Sequence, residues 1–318
     1  MEVTNKYVTL KTHVEGAPKE SDFELKTSLL ALSLDLGSGE MILNRMKRYS
    51  SSQRTGPGFE GITLGMEIEA YGVAKVVVSD NVEFQKGDVV VGVITWAEYS
   101  KIRRNKMIRK LDPLGFPFSY HVGILGYSGL TAYAGFFEIC KPKRGEKVLV
   151  SAASGSVGNL VGQYAKLHGC YVVGCAGSKQ KSFFLRLFLS IDRYFPDGID
   201  IYFDNVGAEM QEAAVANMNT FGRVAVCGVI PEYIDSEKKA APDVLDVIYK
   251  RIKIQGFLAG DHVGLFQDFV STTSNHLHSG ELCPLEDISD GLDSIPFAFT
   301  GLFRGDNIGK KIVKIAEE

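Results

Sequence analysis

Lys147-Val-Leu-Val-Ser-Ala-Ala-Ser-Gly-Ser-Val-Gly158 holds the residues whose types and spacing point most directly to chemistry. The apolar run Val148-Leu149-Val150 suits a strand covered on both faces of a parallel sheet, and a small-residue turn then leads into a helix. Gly155 and Gly158 let backbone amides approach a pyrophosphate, and a helix N-terminus favours negative charge. The match to G-x-G-x-x-G is incomplete, because Ala153 stands at the first glycine. A turn of small residues that holds no ligand is the plain alternative. The helix runs to about His168, Gly169 stops it, and a second apolar strand, Tyr171–Cys175, follows. Ala176-Gly-Ser178-Lys179-Gln-Lys181 comes next, a basic, hydroxyl-bearing turn. A site for NAD usually carries Asp or Glu there, against the ribose 2′-OH. Lysine and serine suit a 2′-phosphate, so the expected cofactor is NADPH/NADP rather than NADH.

The elements that position these residues fall into three regions. Met1 to about Phe118 is β-rich and irregular, with strands at Tyr71–Val78 and Asp88–Ile94 about a Lys86-Gly-Asp88 turn. Residues 119–280 alternate helix and strand, with strands at Val148–Ala152, Tyr171–Cys175, Ile199–Phe203, Val224–Val229 and Ile252–Leu258. That alternation predicts an α/β fold with a right-handed, doubly wound, mostly parallel sheet. Residues 281–318 read as a short helix ending near Leu302 and a last strand, Lys311–Ile315. This tail is too small to fold alone and is expected to rejoin residues 1–118.

Composition excludes several classes. The 318 residues suffice for two modest domains, and the net charge of −3 gives no electrostatic reason to bind nucleic acid or an anionic membrane. No apolar run approaches the roughly 20 residues of a membrane span. The opening Met-Glu-Val-Thr-Asn-Lys has neither a signal-peptide core nor an Arg-rich transit character. Five scattered cysteines argue against a disulfide framework and for a reducing compartment, so the expected location is cytoplasmic. Cys170, Cys175 and Cys227 read as small buried hydrophobes. His276 and His278 are two apart on a predicted helix and face different directions, and no cysteine pair has zinc spacing.

In order along the chain, the Gly155 turn, Gly177-Ser-Lys, Phe203-Asp-Asn-Val-Gly207, Val226-Cys-Gly-Val-Ile-Pro-Glu-Tyr233 and Asn307-Ile-Gly-Lys310 carry a specific resemblance. The chain resembles the plant NADPH-dependent 2-alkenal (enone) double-bond reductases. These belong to the zinc-independent medium-chain dehydrogenase/reductase group that includes leukotriene B4 12-hydroxydehydrogenase. The resemblance, which spans most of the chain, implies a GroES-like catalytic domain, a Rossmann domain, a cofactor cleft between them and a homodimer. It implies that Gly155, Ser156, Val157 and Gly158 line the pyrophosphate and that Lys181, with Ser178 nearby, takes the 2′-phosphate. Asn205, Cys227, Gly228, Phe257, Leu258, Ala259 and Asn307 become further cofactor contacts. Thr131 begins the helix approaching from the other side. Tyr233 is the candidate catalytic donor to the carbonyl oxygen of an enal or enone substrate. No metal is implied, since Gly65-Met66-Glu67 lacks the histidine of zinc-dependent relatives. Each role has a plainer alternative: Lys181 a solvated lysine, Asn205 and Gly207 a turn, Tyr233 an exposed tyrosine in a polar loop, Asn307-Ile-Gly-Lys310 a hairpin turn.

The chain departs from that family twice. Relatives carry an Asp-Pro-Tyr-Met segment between the positions of Ile42 and Leu43, and no Asp-Pro-Tyr occurs here. Tyr49 is close in sequence, but nothing marks it as a substitute. After Lys181, only Ser182 to Gly198 precedes the strand at Ile199, too little for the usual helix, third strand and helix. That third strand is an edge in the 3-2-1-4-5-6 order, so its loss would leave Tyr171–Cys175 at the margin. The function expected is NADPH-dependent reduction of the C=C bond of α,β-unsaturated aldehydes and ketones. The alternatives are a quinone reductase on the same scaffold and a catalytically impaired homologue.

Overall fold

The computed structural model of the chain describes residues 4–29, 45–47, 61–102, 109–176, 191, 193–235 and 238–316. It divides into two compact units, one of Met1–Gly126 with Glu286–Glu318, the other of Tyr127–Leu285. The junctions lie a few residues beyond the 118 and 280 read from sequence. One physical reason is visible at both: Ser119 Oγ donates to Glu286 Oε2 at 2.9 Å, tying the two pieces of the first unit together.

In the first unit, β1 (Thr4–Leu10) and β2 (Phe23–Leu29) pair antiparallel from Thr4↔Leu29 to Leu10↔Phe23. A second antiparallel sheet joins β3 (Glu69–Lys75), β4 (Val89–Thr95) and the two-residue β5 (Arg109–Lys110) in that order. Alternate residues of β3 are buried, as a half-covered strand requires. Their shared core is aromatic. Trp96 and Phe299 lie 5.2 Å apart edge to face, with Phe23 within 6.0 Å of both. Phe299 comes from helix α8 (Ile295–Arg304), which Gly305 ends with φ 72°. Two short strands, β11 (Glu286–Asp290) and β12 (Lys310–Lys314), pair parallel around it. β11 is illegible in the sequence because Glu286-Asp-Ile-Ser-Asp290 is mostly polar.

The second unit is an α/β doubly wound domain. Its five parallel strands run in the order β10-β9-β8-β6-β7, where β6 is Lys147–Val150, β7 Tyr171–Gly174, β8 Ile199–Asp204, β9 Met218–Val226 and β10 Lys253–Gly256. Val148, Leu149 and Val150 are at most 1 % exposed, which is why β6 reads as an unbroken apolar run. Helices α3 (Ser156–Leu167), α4 (Ala208–Ala216) and α6 (Val244–Lys250) connect or follow strands, and α7 (Phe266–His278) packs beside α2 (Tyr127–Tyr133). Successive strands progress outward from β6 in opposite directions, so the order reverses between β6 and β8. β9 starts six residues before the strand read from sequence, because polar Asn219 and Thr220 mask its beginning. It also ends earlier: Cys227 and Gly228 turn their amides onto the Asp204 carbonyl and leave the ladder. Among the described residues β7 bounds the sheet. The segment expected to lack the third strand, 177–190, lies outside them.

His121, on helix α1 (Phe118–Val122), is 3 % exposed and hydrogen-bonds the Pro113 carbonyl at 2.9 Å. Burial lowers its pKa below the ordinary 6.5; the Pro113 carbonyl and Asp112 oppose this and Arg109 adds to it. A lowered folded-state value means that, as pH falls below 6.5, the unfolded chain takes up a proton the folded chain resists. Thermal melts at pH 7.5 and 5.5 should therefore show a loss of stability on acidification that shrinks in His121→Gln, and equal losses in both proteins would acquit His121.

Candidate functional site

Ligands of open parallel sheets bind outside the carboxyl ends of the strands, where the order reverses. The residues after β6, β8, β9 and β10 lie at that edge. Leaving β6, the chain passes Ser151, Ala152 in a left-handed conformation (φ 46°), Ala153 and Ser154, then enters α3 through Gly155. Ala153 N donates to Cys175 O at 2.9 Å, tying the turn to the end of β7. The left-handed residue is Ala152, so the fingerprint position Ala153 needs no glycine for its backbone. Its methyl group is accommodated because Gly174 lies opposite; a Cβ on Gly174 would sit 2.6 Å from that of Ala153. Gly158 is required by close approach, since a Cβ there would meet the Ala152 carbonyl oxygen at 2.4 Å. No side chain caps α3 and its first turn carries no acid. The amide end of a 12-residue helix thus stands over small residues at the point of strand reversal.

A buried polar network fixes this edge. Asp204, the last residue of β8, is 0 % exposed. Its Oδ1 accepts from Tyr202 Oη (2.7 Å), Val206 N (2.9 Å), Gly207 N (2.8 Å) and, more loosely, Ser151 Oγ (3.4 Å). Its Oδ2 accepts from Gln211 Nε2 at 2.9 Å, and its main-chain oxygen from Cys227 N and Gly228 N. Asn205 donates through its backbone to Ser151 Oγ and through Nδ2 to Ser151 O, both at 2.8 Å. The loops after β6, β8 and β9 are thereby locked to one another. Burial, and then the Asp204 charge, pushes the Tyr202 phenol well above its usual pKa. Sequence reasoning passed over Ser151, Asp204 and Gln211. The available signal was a carboxylate closing the apolar strand Ile199–Asp204.

The structure brings most of the expected site residues to this edge. Gly155, Ser156, Val157 and Gly158 form the α3 entry; Asn205, Cys227 and Gly228 occupy the next two loops. Phe257 follows β10 and meets the Phe203 ring edge to face at 6.1 Å. Leu258 is half exposed, and Ala259 packs with Leu130 and Phe269. Three readings are corrected. Thr131 does not begin its helix: α2 starts at Tyr127, whose carbonyl takes the Thr131 hydroxyl at 2.7 Å. Tyr233 lies on the short helix α5 (Ile230–Ile234), not in a loop, because Pro231 favours a first turn. Asn307-Ile-Gly-Lys310 is no hairpin turn, since β12 pairs parallel with β11; Asn307 Nδ2 bonds the Gly309 carbonyl. Asn307 belongs to the first unit and the other described contacts to the second. Ser178, Lys181, Tyr49 and the place of the missing Asp-Pro-Tyr-Met lie outside the described residues. His276 is engaged by Glu281 at 2.8 Å. Among the described residues no helix is long and apolar enough to cross a membrane.

A domain family described as the N-terminal domain of oxidoreductase matches residues 6–111. The 2-alkenal reductase (NADP(+)-dependent) of Nicotiana tabacum is 43 % identical and aligns over 100 % of this chain and 99 % of its own. That alignment spans 340 positions against 318 residues here, a surplus of 22, as internal shortening requires. The (+)-pulegone reductase of Mentha piperita is 40 % identical over 99 % of this chain and 100 % of its own. The crystal structure of CurA from Vibrio vulnificus in complex with NADPH superposes with a TM-score of 0.86 at 29 % identity, covering 98 % of this chain and 100 % of that one.

The fit of Ala153 against Gly174 is testable as a cycle. Gly174→Ala should destabilise the protein by about 1–3 kcal/mol through overpacking, and adding Ala153→Gly should recover most of that loss in denaturant titrations. Strict additivity of the two substitutions would show that the contact does not matter.

Proposed function

The chain belongs to the NADP-dependent alkenal/enone reductases of the medium-chain dehydrogenase/reductase group, and on that footing we propose that it reduces the C=C bond of α,β-unsaturated aldehydes and ketones. The observation that carries the reading is the uncapped α3 terminus at the reversal of the sheet, in a chain that aligns end to end with such enzymes. The residues fit a dinucleotide phosphate. The amide end of α3, the lack of a side chain at Gly155 and Gly158, and the absence of acid in the first turn all favour an anion there. NADPH held there would supply a hydride for the β-carbon of the substrate.

The chain's own residues do the rest. Gly155, Ser156, Val157 and Gly158 line the pyrophosphate, the Gly155 amide itself being held by the Ala152 carbonyl, and Ser178 with Lys181 holds the 2′-phosphate that distinguishes NADPH from NADH. Asn205, Cys227, Gly228, Phe257, Leu258 and Ala259, with Thr131 and Asn307, border the remainder of the cofactor. Negative charge builds on the substrate carbonyl oxygen as the β-carbon is reduced, and the Tyr233 hydroxyl donates a hydrogen bond to it. Water then protonates the α-carbon. No metal takes part, and the enzyme works as a cytoplasmic homodimer. The missing Asp-Pro-Tyr-Met segment removes one wall around the substrate, so enones are held loosely and discriminated poorly.

Tyr233→Phe keeps the ring and removes only the donor. Steady-state kinetics on a short 2-alkenal should show kcat lower by about 100-fold, the order seen for lost oxyanion donors, with NADPH affinity nearly unchanged. Unchanged turnover would remove Tyr233 from the mechanism.

A further inference from the structure

Asp204 is a fully buried carboxylate to which the reaction assigns no part. Every group donating to it is neutral: the Tyr202 and Ser151 hydroxyls, the Val206 and Gly207 amides and the Gln211 side chain. Among the described residues no lysine or arginine pairs with it. A charge held this way, inside a low-dielectric sheet, acts over a longer range than one in water.

The sheet places that charge with respect to a bound dinucleotide, granted the cofactor reading above. The adenosine half belongs to the turn after β7, and the pyrophosphate to the α3 terminus after β6. The nicotinamide half then falls to the ends of β8 and β9. Asp204 closes β8 there, beneath the Cys227–Gly228 turn whose amides its carbonyl holds. One opposing field must be weighed. Helix α4 begins at Ala208 with its amide end against the same carboxylate. A helix terminus carries about half a positive unit charge, against a full negative charge on Asp204. The sum is negative.

We propose that Asp204 makes the nicotinamide end of this site net negative and so favours the positively charged oxidised cofactor over the neutral reduced one. NADPH bound here is in consequence a stronger hydride donor than NADPH in solution. The residue acts through its field, since it is shielded from solvent and ligand alike.

The test is a ratio of affinities that needs no turnover. NADP+ and NADPH are titrated separately into the wild-type protein and Asp204→Asn by calorimetry, with circular dichroism as the check on folding. Asparagine keeps an oxygen for Tyr202, Ser151, Val206 and Gly207, and the Gln211 amide can turn to accept from its NH2 group. The substitution removes a whole unit charge and should weaken NADP+ relative to NADPH by about fivefold or more, the order expected from a unit charge acting at some distance through a protein interior. If Asp204→Asn does not fold, Gln211→Lys puts a cation on Oδ2 and must shift the ratio in the same direction. An unchanged ratio with both forms bound would overturn the proposal. So would an equal loss of both affinities, which would make Asp204 a structural residue only. A wild-type protein that binds neither form would instead refute the cofactor reading on which the proposal rests.

Discussion

The hydrogen bonds among Ser151, Asp204 and Asn205 are the constraint on which the site depends. They join the carboxyl ends of β6 and β8 at the point where strand order reverses, and the Asp204 carbonyl carries β9 into the same knot. Backbone groups that leave a parallel ladder must find partners elsewhere or remain unsatisfied in the interior. Here they find them in one another's loops. The result is a rigid rim, so the α3 amides and the Cys227–Gly228 turn need little ordering when a ligand arrives. Removing a partner from such a network costs more than the bond itself, because a buried polar group is left without water or protein.

The rim is also held from its far side. Arg223 of β9 donates to Glu146, just before β6, with Nη1–Oε1 at 3.0 Å, and through Nε to the Cys140 carbonyl at 2.8 Å. The forked guanidinium suits a carboxylate and a carbonyl at once. Tyr164, on the inner face of α3, bonds Thr273 of α7 at 2.7 Å in full burial. The helix that presents its amide end to the site is thus anchored at its middle. Sheet, helix and loops act as one frame.

How far the sequence disclosed this differs by element. Strand β6 was legible because both faces are covered and Val148–Val150 are apolar throughout, whereas polar Asn219 and Thr220 hid the start of β9. The fingerprint turn was legible by its glycines, yet the reason Ala153 is tolerated was not. It depends on Gly174, a contact between two strands that no local pattern reveals. β11 was hidden because a polar strand at the margin of a small sheet has no apolar face to advertise it. Asp204 was visible as a residue but not as a hub, since its partners come from four separate stretches of chain. Thr131 was misplaced by a few residues because helix ends depend on hydrogen bonds rather than on composition.

The proposed role of the carboxyl edge of the sheet is to hold a phosphorylated dinucleotide. Calorimetric titration of the purified chain with NADPH, and then with NADH, tests it most directly. The account predicts one NADPH bound per chain, tighter than NADH by at least about tenfold, the worth of one charge-assisted hydrogen bond to the 2′-phosphate. Equal affinity for the two, or no binding of either by a folded chain, would contradict it.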